Sequence, residues 1–155
     1  MLKTKLNLAE NLFDWVKTMK ILIVEDEDVL SLVLEEKFKN EGYEIMIAKD
    51  GGEAQPKAEK FKPDIILLDL ILPKKGGLEV LESLKSNSEL KQIPVIVLSN
   101  LEGDETIKKA LSLGAVDYFV KTQHPIAEIV EKVGLFFTEP KISKPLANQK
   151  RPNVQ

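Results

Sequence analysis

The chain has 155 residues, 43% of them hydrophobic, which is enough to bury the core of one domain with a tail at each end. Its net charge of −3 provides no strong field toward nucleic acid or membranes, and the absence of cysteine excludes disulfides and thiolate metal sites. No apolar run reaches the roughly 18 residues that a membrane helix needs. We therefore expect a cytoplasmic protein without a membrane segment and without direct nucleic-acid binding.

The two ends of the chain are predicted to lie outside the folded domain, which we place at residues 19–137. Residues 1–18 have the apolar spacing of an amphipathic helix. Alternatively this extension is an artefact of start-site choice, because the sequence MKILIVEDE, which begins at Met19, looks like a natural start. Residues 138–155 combine three prolines with basic side chains and few apolar ones, which predicts a disordered tail.

Short segments rich in Ile, Val and aromatic residues alternate with segments of helical periodicity. The predicted strands are 20–24, 43–48, 64–68, 93–98 and 116–120. The predicted helices are 27–40, 51–60, 77–86, 104–113 and 125–137. We expect the second helix to start late, near Pro56, because proline interrupts a helix interior. The alternation predicts an α/β fold of the flavodoxin-like (βα)5 type, a doubly wound parallel sheet in the order 2-1-3-4-5.

Polar side chains stand where the predicted strands end, and ligands bind at this edge of such sheets. Glu25 and Asp26 follow strand 1, Asp69 follows strand 3, Ser99 ends strand 4 and Lys121 follows strand 5. Strands 1 and 3 are neighbours in the predicted order, so three carboxylates should converge beside a hydroxyl and an ammonium group. Any one of these residues could be a helix cap, a loop serine or a surface lysine, but four independent strand ends carry the complementary set.

A divalent ion would resolve the repulsion among these carboxylates. Because all the available ligands are oxygens, Mg²⁺ is the expected ion, with Mn²⁺ as a substitute. A metal, a lysine and a hydroxyl around one carboxylate provide what a phosphoryl group needs for charge neutralisation. Asp69 can be the nucleophile, since carboxylates form aspartyl phosphates.

At these residues the sequence resembles the receiver domain of two-component response regulators, over about residues 19–137. The family pattern is an acidic pair after strand 1, an Asp followed by xxxPxxxG after strand 3, Ser or Thr after strand 4, and an aromatic residue and then Lys around the end of strand 5. The matching residues here are Glu25, Asp26, Asp69, Pro73, Gly77, Ser99, Tyr118 and Lys121.

The resemblance implies a role for each acidic residue. Asp69 would accept a phosphoryl group from a histidine kinase or a phosphotransfer protein. Asp26, Asp69 and the backbone carbonyl of Ile71 would coordinate Mg²⁺ directly, and Glu25 would act through a coordinated water.

The remaining matched residues would sense the phosphoryl group. Lys121 would pair with a phosphoryl oxygen, Ser99 would swing to bond the group, and Tyr118 would turn inward behind it. Pro73 and Gly77 would support the loop after the acceptor.

By the same resemblance, a downstream protein target would bind the helix 4–strand 5–helix 5 face, roughly residues 103–137. The expected oligomeric state is a monomer or a phosphorylation-dependent homodimer. We expect a stand-alone, single-domain receiver, because the last 18 or so residues are too few to bury a core of their own. It would be no enzyme beyond self-phosphorylation and autodephosphorylation.

Several positions depart from the family pattern. Thr122 replaces the usual proline with its cis peptide, so we expect a different loop before helix 5 and a less tightly aimed Lys121. Asn100 replaces the usual Ala or Gly and could narrow access to the phosphoryl group, and the apolar Ile71 could slow attack by water. Together they predict a long-lived phosphoryl state. His124, the only histidine, is expected in a loop or at a helix start.

Three other functions compete with this interpretation. A haloacid-dehalogenase-like phosphohydrolase needs a second Asp two positions after the nucleophile, where this chain has Ile71. A flavodoxin-type FMN module needs a phosphate loop after strand 1, where the sequence EDED would repel the phosphate. A phosphorylation-independent interaction module with the same fold stays open, because only phosphorylation data can exclude it.

Overall fold

The computed structural model describes residues 18–138, and these contain one parallel sheet of five strands. The strands are Lys20–Val24 (β1), Glu44–Ala48 (β2), Ile65–Leu68 (β3), Val95–Ser99 (β4) and Asp117–Val120 (β5). Their order is β2-β1-β3-β4-β5, which confirms the predicted flavodoxin-like arrangement. The predictions for residues 1–17 and 139–155, an N-terminal helix or start-site artefact and a disordered tail, lie outside the described residues.

Helices cover both faces of the sheet. They are Asp28–Asn40 (α1), Gly51–Phe61 (α2), Gly77–Ser86 (α3), Asp104–Ser112 (α4) and Ile126–Thr138 (α5). Within β1, Leu22 and Val24 face the core formed with α2, α3 and α4, whereas Ile21 and Ile23 face the core formed with α1 and α5. This two-sided burial explains why the strand is apolar at consecutive positions. Within residues 18–138, no helix combines the length and the apolar character required to cross a membrane.

The prediction that α2 starts near Pro56 was wrong, because this helix begins at Gly51 and includes the proline. Its start is fixed by Asp50, whose side chain accepts a hydrogen bond from the Glu53 N–H at 2.9 Å. Pro56 is exposed and has no N–H to donate to the carbonyl one turn earlier. The helix continues because its core face buries three side chains, Ala54, Ala58 and Phe61.

We therefore expect the substitution Pro56→Ala to stabilise the protein. A proline in a helix interior costs about 3 kcal/mol relative to alanine. Proline also restricts the unfolded chain, and losing this restriction offsets about 1 kcal/mol. The free energy of unfolding from urea titration should rise by about 2 kcal/mol, the difference of these two terms. Lys60→Ala, an exposed change on the same helix, is the control, and an equal response of both variants would contradict the prediction.

Candidate functional site

The carboxyl ends of β1, β3, β4 and β5 bring the predicted polar side chains to one edge of the sheet. The end of β3 lies beside the end of β1, since the Asp69 N–H donates to the Val24 carbonyl at 3.0 Å. The end of β5 lies beside the end of β4 in the same way, since the Lys121 N–H donates to the Ser99 carbonyl at 3.0 Å. Glu25 directly follows β1, as predicted, and its N–H continues the hydrogen bonding of β1 with β2. The residues at these strand ends therefore lie along one edge of the sheet.

Lys121 bridges two of the acidic residues. Its Nζ lies 2.7 Å from Glu25 Oε2 and 2.9 Å from Asp69 Oδ2. The side chains are 10%, 2% and 5% exposed for Lys121, Glu25 and Asp69, so this is a buried three-membered ion cluster. With Thr122 after it, Lys121 still contacts two carboxylates, which follow different strands.

Burial and pairing oppose each other within this cluster. Burial raises the pKa of Glu25 above its usual range, although the hydrogen bond from Lys121 works against that rise. Burial alone would lower the pKa of Lys121, but hydrogen bonds to Glu25 and Asp69 raise it overall. The ammonium form of Lys121 is thus the stable one at neutral pH.

Asp26 completes a group of three carboxylates. Glu25, Asp26 and Asp69 each offer an oxygen, and these oxygens all lie within 4.8 Å of one another. Asp26 is exposed, so the group opens to solvent on its side. One lysine cannot neutralise three acids, and the remaining negative charge together with an all-oxygen donor set fits a hard divalent cation such as Mg²⁺.

The fourth residue of the acidic run has a separate partner. Asp28, at the first turn of α1, accepts a hydrogen bond from Lys49 Nζ at 2.8 Å, and this contact lowers the pKa of Asp28. The same Nζ also donates to the buried Ser31 hydroxyl at 2.9 Å. Lys49 therefore ties the end of β2 to α1 and pairs with Asp28 outside the cluster of Lys121, Glu25 and Asp69. Sequence reasoning missed Lys49, because nothing in strand periodicity indicates how far a lysine reaches.

Ser99 and Tyr118 both contact the β4–α4 loop. Ser99 is fully buried, and its hydroxyl accepts a hydrogen bond from the Leu101 N–H at 3.4 Å. The Tyr118 hydroxyl donates to the Leu101 carbonyl. Burial raises the pKa of Tyr118. The loop thus links the serine at the site to a half-buried tyrosine on β5.

The loop after Asp69 depends on a close backbone approach at Gly77. The Gly77 N–H donates to the Leu70 carbonyl at 2.9 Å. A Cβ at Gly77 would lie 2.3 Å from both the backbone carbonyl oxygen of Asp69 and the Leu70 Cα, which is far inside van der Waals contact. Pro73 contributes a carbonyl that accepts from Gly51 at 3.2 Å. Glycine is therefore required for α3 to start against the backbone of Asp69.

His124 lies in the loop two residues before α5, which is one of the two places predicted for it, and its Nδ1 is 3.2 Å from Glu128 Oε1. Its ring packs edge-on against Phe119, with ring centroids 5.2 Å apart. Of the two other departures from the family pattern, Asn100 is exposed and Ile71 is 54% exposed.

A doubly wound five-stranded sheet with this acid, serine and lysine set at its carboxyl edge defines a class of signalling domain. The family model of the response regulator receiver domain matches residues 21–133. The chain therefore belongs to the response regulator receiver domain family of two-component signalling systems, whose general function is that of a phosphorylation switch. Members of this family bind a divalent metal and are signalling proteins rather than classical enzymes.

Individual relatives agree with this assignment. The chain is 34% identical over 136 residues to the alkaline phosphatase synthesis transcriptional regulatory protein PhoP of Bacillus subtilis (strain 168), covering 88% of this chain and 55% of PhoP. It thus spans about half the length of this relative. The Mn²⁺-bound response regulator Rcp1 superposes with a TM-score of 0.69 at 32% identity, covering 78% of this chain and 95% of Rcp1. The phosphorylated cyanobacterial phytochrome response regulator RcpA superposes with a TM-score of 0.69 at 33% identity, covering 77% of this chain and 94% of RcpA.

Proposed function

We propose that this protein is a phosphorylation-dependent switch in which Asp69 accepts a phosphoryl group from a histidine kinase or a phosphotransfer protein. The observation that carries the proposal is the buried contact between Lys121 Nζ and the Asp69 carboxylate, 2.9 Å long, beside two further acids. The phosphorylated RcpA structure, from a protein 33% identical, supports the same chemistry for this chain.

The acidic group would hold the metal that this transfer needs. We assign Asp26, Asp69 and the Ile71 carbonyl as direct ligands and Glu25 as a ligand through water. The Mn²⁺-bound Rcp1 structure supports a divalent ion, and we propose Mg²⁺ as the resident ion with Mn²⁺ as its substitute. When bound, the metal would offset the negative charge on the phosphoryl oxygens.

The transfer itself is a substitution at phosphorus. A carboxylate oxygen of Asp69 attacks the phosphorus of a phosphohistidine, the P–N bond breaks, and the released imidazole takes up a proton from solvent. The product is an aspartyl phosphate, and Lys121 would turn from the carboxylate to a phosphoryl oxygen.

The new phosphoryl group would then recruit Ser99. The Ser99 hydroxyl accepts from the Leu101 N–H, and the Tyr118 hydroxyl donates to the Leu101 carbonyl, so movement of the serine would free the N–H of the residue that holds the tyrosine. The tyrosine could then turn inward, which would change the α4–β5–α5 face, about residues 103–137. This face exposes Leu111 and Val116, and we propose it as the binding surface for a downstream protein or, in a phosphorylation-dependent homodimer, for a second copy of the chain.

Acetyl phosphate tests the acceptor directly. We expect the wild-type protein incubated with acetyl phosphate and Mg²⁺ to gain the mass of one phosphoryl group, in an acid-stable and base-labile bond. The matched variant Asp69→Asn should gain none. Equal labelling of both proteins would overturn Asp69 as the acceptor, and no labelling of the wild type would favour a phosphorylation-independent interaction module.

We further expect the phosphoryl group to be long-lived. Ile71 is two residues from Asp69, its N–H contacts Asp69 Oδ1, and its exposed apolar side chain has no group that could orient an attacking water. Dephosphorylation of the isolated protein, followed by mass spectrometry after removal of acetyl phosphate, should be slower than in Ile71→Gln, whose amide can hold a water. Ile71→Leu is the control that keeps the surface apolar. Complete loss of phosphate from the wild type within seconds would contradict the prediction.

A further inference from the structure

The β3–α3 loop, residues 70–76, rests on the first turn of α2, an element with no assigned part in the site. Asp50, the residue that caps α2, places its Oδ2 3.1 Å from Lys74 Nζ. The Gly51 N–H donates to the Pro73 carbonyl at 3.2 Å. The cap of α2 and its first residue thus hold two consecutive residues of the loop.

The contact at Gly51 leaves no room for a side chain. A Cβ there would lie 1.9 Å from the Lys75 carbonyl oxygen and 2.7 Å from its carbon. Lys74 adopts a left-handed conformation with φ of 67°, which an L side chain seldom takes without support from its surroundings. The conformation of residues 73–75 therefore depends on their contacts with the start of α2.

The first residues of the loop contact Asp69, the proposed phosphoryl acceptor. The Ile71 N–H donates to Asp69 Oδ1 at 3.2 Å, so the loop backbone contacts the carboxylate directly. We propose that Asp50 and Gly51 are positioning residues, which hold the loop so that Asp69 and the backbone of Ile71 keep the geometry for metal binding. This inference rests on the proposed function, because it assigns Asp69 and Ile71 to the metal.

Magnesium affinity of the full chain, measured by isothermal titration calorimetry, provides the first test. A methyl group at Gly51 must push the loop away, and we expect Gly51→Ala to weaken Mg²⁺ binding about tenfold or more, as do changes in residues that support metal ligands. Gly76→Ala is the matched control in the same loop, because a Cβ there meets nothing within 4 Å. Mn²⁺ binding followed by electron paramagnetic resonance should show the same ranking.

A double-mutant cycle provides a second test that does not depend on folding of Gly51→Ala. Asp50→Asn keeps an oxygen for the α2 cap but loses the charge, and Lys74→Asn tolerates the left-handed backbone. Because Lys74 is largely exposed, each change should weaken Mg²⁺ binding only about two- to fivefold. The double variant should be no weaker than either single one.

The outcomes separate the two proposals. Unchanged Mg²⁺ affinity in both Gly51→Ala and Asp50→Asn, beside a wild type that binds, would overturn the positioning role even if the thermal midpoints fall. If Gly51→Ala fails to fold, the Asp50 and Lys74 cycle decides. A wild type without measurable Mg²⁺ binding would instead overturn the metal site of the proposed function.

Discussion

Lys121→Met is expected to lower the free energy of unfolding of the metal-free protein by about 3 kcal/mol, because it leaves two buried carboxylates without their cation. Glu25 and Asp69 are almost fully enclosed and approach the same ammonium group from neighbouring strands. Methionine fills a similar volume, so the loss reports the charge rather than a cavity. Urea titration followed by circular dichroism measures it.

The pH dependence of this loss identifies its cause. Burial already raises the pKa of Glu25 above the unfolded value of 4.5, and losing the hydrogen bond from Lys121 would raise it further. An acid whose pKa is higher in the folded state contributes stability that is fully present below the unfolded pKa and is lost as the pH rises through the folded pKa. The free energy of unfolding of Lys121→Met should therefore be closer to that of the wild type at pH 5 than at pH 8.

Lys39→Met is the matched control, because Lys39 pairs with Glu35 on the exposed side of α1. Such surface pairs contribute about 0.5 kcal/mol or less, so the free energy of unfolding of the control should stay near that of the wild type at every pH. Mg²⁺ should restore part of the stability of Lys121→Met, since a bound cation replaces the missing charge. Equal stability losses in the two variants would show that the buried cluster does not depend on its lysine.

Much of the fold and of the candidate site could be predicted from the sequence, because parallel strands place their ends at one edge. Ser99 and Lys121 are far from Asp69 in the chain, yet both positions follow from one rule, which looks for a polar residue at the end of each predicted strand or directly after it. The order 2-1-3-4-5 then brought the acids of β1 and β3 together, as the structure confirms.

The contacts made by long side chains could not be predicted in this way. Whether Lys121 contacts one carboxylate or two depends on how far its side chain reaches toward the ends of two neighbouring strands, which the sequence does not show. The contacts of Lys49 with Asp28 and of Lys74 with Asp50 join elements that sequence spacing leaves unrelated. Pro56 misled the helix prediction because tertiary burial and a side-chain cap outweighed its local penalty.

Gly77→Ala should damage both the stability and the chemistry of the protein, since this glycine lies against the residue that carries the proposed acceptor. The new methyl group would overlap the Asp69 carbonyl and the Leu70 Cα, each 2.3 Å away, and both are backbone atoms that cannot rotate aside. We expect a loss of about 3 kcal/mol in the free energy of unfolding, at the upper end for overpacking by one carbon. Relief of this overlap moves the backbone of Asp69, so labelling by acetyl phosphate should slow as well.

Gly76→Ala separates the overlap from the general effect of adding a methyl group to this loop. Gly76 precedes Gly77 and has a backbone conformation with φ of −63°, which any residue adopts. Its Cβ would meet open space, so both the unfolding free energy and the labelling rate should stay close to the wild type. If Gly77→Ala matched this control in both measurements, the start of α3 would have to tolerate a side chain, and the backbone of Asp69 would not be held by the close approach of that helix.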